Sequence, residues 1–309
     1  MKPFRKHVAL SVDGGGIRGI IVTRALCRLE AELGRPARQI FGLAAGTSTG
    51  SAISAGIAAS LNAKQLHELY MSLGGTIFRK TLRSSLWLLA RYRYPLGPLE
   101  AILREQVGDM VMADLWAQGS PTDLVITTFD VMENRTRFIK PWKEEYARWP
   151  VARAVLASSA VPTVFPPVDG RFVDGGIGSY ANPCYLAAFE AWFCLGWDPA
   201  ETTLISLGTG RAPRTMAPGD ADRLWPWQWL DPVLNAFAKS AGDQQVNVVA
   251  GLFPALDFRR FDVALHSEIP LDGIDRIPEL VNYGDELWRK IRQDETETPP
   301  DFRSMHPKE

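Results

Sequence analysis

Short β-rich apolar runs and stretches with apolar residues at helical spacing alternate along the chain. Residues 7–12 form the first apolar run, and apolar side chains then recur at helical spacing from Ile20 to Leu33. A second apolar run at 41–45 leads into a small-residue segment that is compatible with a helix. The beginning of the chain therefore predicts two consecutive strand–loop–helix units.

The remaining chain continues this alternation. Strands are predicted at 122–129, 135–139, 171–173, 203–207 and 258–265, and helices at 64–73, 97–107, 149–157, 234–252 and 278–291. The strand at 135–139 is expected to return beside 122–129 as a hairpin. Because consecutive strand–helix units place their strands side by side and parallel, we expect an α/β fold whose loops meet at the carboxyl edge of one sheet.

No internal repeat, low-complexity block or interdomain linker interrupts this pattern. One domain over residues 1–292 is therefore the simplest interpretation of the 309-residue chain. Residues 293–309 are charged and rich in proline, and this composition predicts a poorly ordered tail.

Composition narrows the class of protein. Hydrophobic residues make up 46% of the chain and charged residues 22%, as in a globular protein with a sizeable core. The net charge is -1, so no global field favours nucleic acid as a partner. The three cysteines, Cys27, Cys184 and Cys194, are too few for a disulfide framework and favour a reducing compartment.

Neither a secretory signal nor a membrane span is predicted. The apolar run that begins after Lys6 is interrupted at Asp13, whereas a signal peptide needs an apolar core of about 7–15 residues. No stretch approaches the roughly 20 apolar residues of a membrane helix. We therefore expect a cytoplasmic protein that meets a membrane only peripherally, at its inner face.

A glycine-rich loop, Asp13-Gly14-Gly15-Gly16-Ile17-Arg18-Gly19, follows the first predicted strand. Its glycines leave backbone N–H groups open to a negatively charged oxygen, which suits a phosphate cradle or an oxyanion hole. The loop lacks the Gly-Lys-[Ser/Thr] ending of a P-loop. Gly14, Gly16 and Gly19 match G-x-G-x-x-G, but no convincing acidic ribose-binding residue follows about 20 positions later.

A serine stands at the apex of the second strand–turn–helix unit. In Gly46-Thr47-Ser48-Thr49-Gly50, the glycines on either side of Ser48 match the G-x-S-x-G pattern of a serine exposed on a strained turn. The alternative is a small-residue turn in which Thr47 or Ser48 only caps the helix. Since adjacent parallel strands would place this turn beside the glycine-rich loop, the pair of motifs indicates acyl transfer.

Three motifs, in order along the chain, resemble those of the patatin-like phospholipase family. That family combines a D-G-G-G-x-R-G loop, a G-x-S-x-G serine and an aspartate in D-G-[GA]. The matches lie at 13–19, 46–50 and 174–176, with further similar segments at 157–167 and 205–210. The resemblance spans about residues 7–265 and implies a three-layer α/β/α fold with a mostly parallel central sheet and a nucleophile elbow.

The resemblance also implies roles for individual residues. Ser48 is the implied nucleophile, and Asp174 is the implied general base and acid of a Ser–Asp dyad. The N–H groups of Gly14, Gly15 and Gly16 are expected to form the oxyanion hole.

The histidines of the chain make a Ser–His–Asp triad the weaker alternative. His7, His67, His266 and His306 all lie outside the glycine-punctuated loops, and His266 after the last predicted strand is the best placed of them. Asp174 alone would be an ordinary turn aspartate, and only its pairing with the other motifs favours a catalytic role.

Arg18 could hold the glycine-rich loop in shape or meet a phospholipid phosphate. Loop support is favoured, because a residue in the first helical turn can reach back to carbonyl groups. Neither a cofactor nor a metal is expected. The candidate acidic ligands are scattered without the spacing of a calcium site, and the histidines are too dispersed for zinc. These acidic residues are Asp13, Asp169, Asp174 and Glu190.

Two aromatic stretches are candidates for a lid or a lipid contact. Residues 84–95 combine apolar, aromatic and basic side chains, although a core-packed helix is favoured there. Residues 223–232 place Trp225, Trp227 and Trp229 around a proline, and loop packing is an equal alternative.

The sequence therefore predicts a lipid acyl hydrolase of phospholipase A type, acting on phospholipids or other acyl esters. One alternative is the same hydrolase as a membrane-degrading effector of bacterial antiphage defence, gated by a small molecule such as a cyclic nucleotide or by homo-oligomer assembly. That alternative rests on analogy, because no nucleotide motif is present. A second alternative is a non-catalytic nucleotide-binding or storage protein on the same fold.

Overall fold

The computed structural model describes residues 1–78, 91–117, 122–213, 216–217 and 219–297. Within these residues the strands are β1 (His7–Val12), β2 (Leu43–Gly46), β3 (Asp123–Asp130), β4 (Arg135–Ile139), β5 (Phe172–Asp174), β6 (Thr202–Leu207) and β7 (Asp257–Phe261). The helices are α1 (Gly19–Leu33), α2 (Ala37–Ile40), α3 (Thr49–Ala58), α4 (Ala63–Thr76), α5 (Gly97–Val107), α6 (Met112–Ala117), α7 (Glu144–Ala147), α8 (Val151–Ser159), α9 (Cys184–Phe189), α10 (Leu230–Leu252) and α11 (Ile277–Gln293). A π-helical turn at Glu190–Cys194 continues α9.

The strands form one mostly parallel sheet with the order β4-β3-β2-β1-β6-β7. β1 pairs in parallel with β2 on one side and β6 on the other, and β3 and β7 continue the parallel arrangement outward. β4 and β5 both pair antiparallel with β3. Because β1 and β2 are adjacent and parallel, the loops that follow them lie side by side at the carboxyl edge of the sheet.

Alternate side chains of β1 point to two different cores, which defines the three layers. Leu10 and Val12 pack with apolar residues of α1, α4 and α11 on one face. Ala9 packs with apolar residues of α9 and α10 on the other. A strand buried on both faces is typical of a parallel sheet covered by helices. The predicted three-layer fold with a mostly parallel sheet is confirmed.

Most predicted strands and helices are present with ends shifted by a few residues, and 135–139 forms the predicted hairpin with β3. The prediction that the last strand reaches residue 265 is wrong, because β7 ends at Phe261. The next residue, Asp262, accepts hydrogen bonds from the backbone N–H groups of Gly210 and Val263 through its side chain, and beyond it the pairing continues as an isolated parallel bridge between Arg211 and Ala264. The sequence pattern did not predict α2, α6, α7 or α9.

Two predicted features fall largely outside the described residues. Most of the aromatic stretch 84–95 lies in the undescribed segment 79–90, and most of the predicted tail lies beyond residue 297. The extent of the domain stays a prediction. Among the helices of the described ranges, none combines the length and the apolar character that crossing a bilayer requires.

Candidate active site

Ser48 occupies a strained turn between β2 and α3. Its backbone has φ 54° and ψ −123°, an unfavourable conformation for a residue with a Cβ. A Cβ on Gly46 would collide with the backbone of Gly50, and a Cβ on Gly50 would collide with the carbonyl of Val12. The two glycines therefore allow the close backbone approach that this turn needs, and the buried Ser48 is held at its apex.

Neighbouring serines fix the Ser48 backbone. The Ser48 N–H donates to Ser158 Oγ at 2.8 Å, and Ser51 Oγ donates to the Ser48 carbonyl at 2.6 Å. Ser158 is fully buried at the end of α8. The sequence reasoning did not assign Ser158 a role, although its segment, 157–167, carried part of the family resemblance.

The register of the sheet brings Asp174 to the same edge. Gly46 of β2 is paired with Ile126 of β3. Two residues further along β3, Thr128 is paired with Asp174 of β5. Since Ser48 also lies two residues beyond Gly46, Ser48 and Asp174 meet at this edge, although 126 positions separate them in the chain (174 minus 48).

The environment of Asp174 raises its pKa. Burial of the carboxyl group raises the pKa to about 6, while hydrogen bonds from the Ser48 side chain and the Gly176 backbone act in the opposite direction. Oδ1 accepts the Gly176 N–H at 2.8 Å. Oδ2 is buried and has no hydrogen bond of standard geometry to any described residue, so it retains lone pairs for a proton.

The glycine-rich loop lies against the Ser48 turn. A Cβ added to Gly14 would lie 3.3 Å from Ser48 Cβ. The Gly14 N–H already donates to the Ala181 carbonyl at 2.9 Å, and the Gly14 carbonyl accepts from Thr209 Oγ1 at 2.6 Å. Gly14 is therefore a fixed part of the loop, with its N–H directed away from a ligand.

The N–H groups of Gly15 and Gly16 make no hydrogen bond to another residue in the described part of the chain. The same holds for the N–H of Thr49, which is the first residue of α3 and follows Ser48 directly. A helix N-terminus adds a favourable dipole for a negative charge. Thr49 Oγ1 also donates to the Gly16 carbonyl at 2.5 Å, which ties the loop to α3. The sequence reasoning did not assign a role to Thr49.

Arg18 contacts one carbonyl group of the glycine-rich loop and one carbonyl group of the loop that follows β6. Its Nε donates to the Gly15 carbonyl at 3.2 Å, and Nη1 donates to the Gly210 carbonyl at 3.4 Å. Burial lowers the pKa of Arg18, while nearby carboxylates, Asp262 first, act to raise it. These contacts support the predicted role of Arg18 in holding the loop in shape.

An apolar cavity of about 60 Å³ opens beside Ser48. Side chains of α4, α5 and α8 line it, together with Phe78, Phe165 and Leu271. Among the described residues, no charged side chain and no histidine borders this space. The apolar lining of this cavity suits an aliphatic chain.

The described histidines are engaged elsewhere. His7 stacks on Trp197, with 4.7 Å between ring centroids, and the His67 ring lies 3.0 Å from Thr23 Oγ1. His266 is exposed and packs beside Tyr283. His306 lies outside the described residues. Over the described ranges, no group of three or more histidine, cysteine or acidic side chains has an arrangement that could hold a metal ion.

The two aromatic stretches that the sequence marks as candidates for a lid or a lipid contact differ in exposure. In the described part of 84–95, Tyr94 is buried and packs against Phe78 and Phe165. In 223–232, Trp225 and Trp229 are exposed. The side chain of Trp227 is outside the described set.

A serine on a strained strand–helix turn beside a glycine-rich loop defines the nucleophile-elbow class of α/β proteins. Comparison with known proteins gives the family, because a model of the patatin-like phospholipases matches residues 10–188. The chain belongs to this family, as the motifs predicted.

Individual relatives differ in how much of their length the chain covers. A cGAMP-activated phospholipase from Pseudomonas aeruginosa is 32% identical over 319 residues, covering 95% of this chain and 93% of the relative. An intracellular phospholipase A2 from Caenorhabditis elegans is 29% identical over 224 residues, covering 67% of this chain but only 20% of the relative. Among solved structures, the type III effector protein ExoU is 13% identical with a TM-score of 0.44, covering 96% of this chain and 54% of ExoU.

Proposed function

We propose that this chain is a lipid acyl hydrolase of phospholipase A type, with Ser48 as nucleophile and Asp174 as general base and acid. One observation carries the proposal: a strained, buried serine lies beside a carboxyl whose pKa is raised to about 6, at the wall of an apolar cavity. A raised pKa brings the carboxylate closer to the basicity that a general base needs near neutral pH.

The proposed reaction has two halves. Ser48 Oγ attacks the ester carbonyl carbon while Asp174 accepts the hydroxyl proton, and the negative charge passes to the carbonyl oxygen. Collapse of this intermediate expels the alcohol, which takes the proton from Asp174. Water then attacks the acyl-enzyme with Asp174 again accepting its proton, and the fatty acid leaves as the Ser48 hydroxyl is restored.

The N–H groups of Gly15, Gly16 and Thr49 are the proposed donors to the oxyanion. All three are without partners among the described residues, whereas the Gly14 N–H is bonded to Ala181. Loss of one such donor typically slows the chemical step by about 10²–10³-fold. We therefore assign Gly14 to loop geometry and the next two glycines to charge stabilisation.

Fluorophosphonate labelling followed by peptide mapping tests the nucleophile. We expect the probe to attach to Ser48 in the wild type and not in Ser48→Ala. Ser159→Ala is the matched control, because Ser159 lines the same cavity and the proposal gives it no chemical role. Undiminished labelling of folded Ser48→Ala would contradict the proposal by showing another nucleophile. No labelling of the wild type would contradict it and favour a storage or nucleotide-binding protein.

Hydrolysis of p-nitrophenyl esters tests the base. Asp174→Asn should lose at least 10³-fold in kcat, since the amide cannot accept the Ser48 proton. Retained activity in folded Asp174→Asn would reopen the case for a histidine base at His266.

A second candidate is control of the same hydrolase by a cyclic dinucleotide. The Pseudomonas aeruginosa relative is a cGAMP-activated phospholipase, and this chain covers 93% of it. We infer that a cyclic dinucleotide raises the activity of this chain at a site outside the Ser48 cavity. Ester hydrolysis with and without cGAMP and related cyclic dinucleotides tests this, and equal rates throughout the panel would contradict it.

We also infer a peripheral membrane contact through Trp229 and the first half of α10, which begins at the next residue. Trp229, Val233 and Phe237 are 40%, 53% and 48% exposed, and their spacing of four residues places them along one face. Between 232 and 240 no described side chain is buried, and Ala241 is the first that is. Aromatic and aliphatic side chains on one helical face are typical of contacts with a lipid surface.

The middle of α10 contacts residues 179–182 at the carboxyl edge of the sheet, although α10 covers the face opposite the Ser48 cavity. A Cβ on Gly242 would lie 3.7 Å from Asn182 Cβ, and Gln245 donates to the Ser179 carbonyl at 3.3 Å. Residues 179–182 also include Ala181, which holds Gly14. The contact would therefore bring the Ser48 edge to the lipid that carries its substrate.

A further inference from the structure

Arg260 lies beneath the glycine-rich loop, at a position that no sequence motif marks. It belongs to β7, opposite Ser206 of β6, and its side chain is 5% exposed. Nη1 donates to Asp13 Oδ1 at 2.8 Å, and Nη2 donates to Asp13 Oδ2 at 2.6 Å. This paired geometry is the strong and directional form of an arginine–carboxylate contact. It fixes the residue that immediately precedes Gly14.

The same guanidinium connects the glycine-rich loop to the loop that follows β6. Its Nη2 also donates to Asp262 Oδ2 at 3.3 Å, and Asp262 Oδ1 accepts the Gly210 N–H at 2.8 Å. The Gly210 carbonyl in turn accepts from Arg18, which also holds the Gly15 carbonyl. A closed set of polar contacts therefore runs from Arg260 back to the loop.

We propose that Arg260 is a positioning residue for the oxyanion hole, which it sets by holding Asp13 and by cancelling the charge of that carboxylate. The inference rests on the proposed function, because the free N–H groups of Gly15 and Gly16 matter only if Ser48 forms a tetrahedral intermediate. Arg260 itself touches no reacting atom.

Charge gives Arg260 a role beyond packing. The partly buried carboxyl of Asp13 and the buried carboxyl of Asp262 contact its guanidinium, and the Glu297 carboxylate lies 3.7 Å from its Nε. Burial raises the pKa of Asp13 to about 6, and Arg260 opposes that rise. An uncompensated carboxylate at Asp13 would repel the negative charge that develops at the neighbouring N–H groups, since such repulsion is weakly screened in a buried site.

The chain offers a matched control on the same strand. Arg259 is 3% exposed, pairs with Asp257, and donates to the carbonyls of Lys2 and Pro3. It is as buried and as well bonded as Arg260, but its contacts lead away from the glycine-rich loop. Arg259→Lys and Arg260→Lys should therefore lower the free energy of unfolding by similar amounts. Only Arg260→Lys should change the rate of ester hydrolysis.

Three kinetic quantities separate positioning from support of the fold. For Arg260→Lys we expect kcat on a soluble p-nitrophenyl ester to fall at least tenfold, with KM changed less than threefold. The Ki of a trifluoromethyl ketone, which forms an oxyanion adduct with serine, should rise by the factor by which kcat/KM falls. Arg259→Lys should leave all three within twofold of the wild type.

A second test uses variants that have no positive charge at position 260, with and without the Asp13 carboxylate. Arg260→Gln removes the cation that lowers the Asp13 pKa, so the variant is assayed at alkaline pH, where Asp13 is ionised and uncompensated, and kcat there should fall at least 100-fold. Adding Asp13→Asn to Arg260→Gln removes that charge. The kcat of the double variant should therefore be at least tenfold higher than that of Arg260→Gln. If Arg260→Gln does not fold, the double variant is compared with Arg260→Lys, and we expect it to be folded and measurably active.

Two results would overturn the role of Arg260 alone. One is an active wild type whose Arg260→Lys variant keeps normal kcat and Ki while losing as much stability as Arg259→Lys. The other is a double variant no more active than Arg260→Gln, or inactive although folded. A wild type that neither hydrolyses the ester nor binds the ketone would overturn the proposed function itself, and this role with it.

Discussion

The Asp174 carboxyl is buried where β5 meets the Ser48 turn, and burial raises its pKa to about 6. A general base must be ionised, so kcat/KM for a soluble ester should rise with pH through about 6 and level off near neutrality. Below that pH the protonated carboxyl cannot accept the Ser48 proton. A pH–rate profile between pH 4.5 and 8 measures the midpoint.

The pH–rate profile needs a control, because the carboxyl of Asp13 has a pKa similar to that of Asp174. Burial raises the pKa of Asp13 to about 6 as well, although Asp13 contacts Arg260 rather than the nucleophile. In Asp13→Asn the midpoint should therefore stay near 6 even if the plateau falls. A midpoint near 4, or one that disappears in Asp13→Asn, would contradict the assignment of Asp174 as base.

The same ionisation should cost stability. The pKa of Asp174 is higher in the folded protein than its usual 3.8, so the folded state binds more protons between about pH 4 and 6. Stability from this group is therefore greatest at low pH and is lost as pH rises through about 6. Asp174→Asn should gain up to about 3 kcal/mol over the wild type on going from pH 4 to pH 7.

Urea unfolding of both proteins at several pH values measures this difference. All other groups titrate in both proteins, so the difference between them isolates Asp174. A constant difference across pH 4–7 would show that the carboxyl is not the group with the raised pKa. The gain in stability would accompany loss of activity, as expected for a strained catalytic group.

At the scale of the element, the exposed face of α10 makes the membrane contact testable. In a Ser48→Ala background, which prevents hydrolysis, Val233→Gln with Phe237→Gln should reduce binding to phosphatidylcholine vesicles at least tenfold. Glutamine keeps the helix, because its helix propensity is high. Co-sedimentation with vesicles measures the bound fraction.

Phe193 provides the matched control for this face. It is 59% exposed on the π-helical turn after α9, so Phe193→Gln removes an equally exposed aromatic side chain from another element. It should change vesicle binding less than twofold. Unchanged binding in the α10 variant would contradict the contact, and a shift in oligomeric state in that variant would show that a second copy covers the face.

Elements with a clear period were predictable from the sequence, and those set by distant contacts were not. The alternation at 135–139 and the apolar spacing from Ile20 to Leu33 are local signals, and both elements are present. The end of β7 depends on Asp262 bonding to Gly210, which is 52 positions away. No local pattern indicates such a contact, so the strand was predicted too long.

The candidate site divides in the same way. Ser48, Asp174 and the glycine-rich loop were indicated by motifs, and the structure places them together. Which N–H groups are free depends on Ala181 occupying that of Gly14, a tertiary contact.

At the scale of the whole molecule, residues 294–297 make contacts that argue against ending the folded domain at the predicted residue 292. The Glu297 N–H donates to the Arg260 carbonyl at 2.8 Å, and Asp294 lies 3.6 Å from Arg259. These residues therefore contact β7, the strand that carries the arginine beneath the glycine-rich loop. We propose that the folded unit extends to residue 297.

Truncated chains distinguish the two boundaries. A chain ending at 297 should unfold at the denaturant midpoint of the full chain, because composition predicts little order in the charged, proline-rich segment that is removed. A chain ending at 292 should lose about 1–3 kcal/mol, since it leaves a buried carbonyl of Arg260 without its donor. The kcat of this chain should also fall, because loss of the contacts with β7 would loosen Arg260 and, through it, Asp13. Equal stability and activity of the two truncated chains would return the boundary to residue 292.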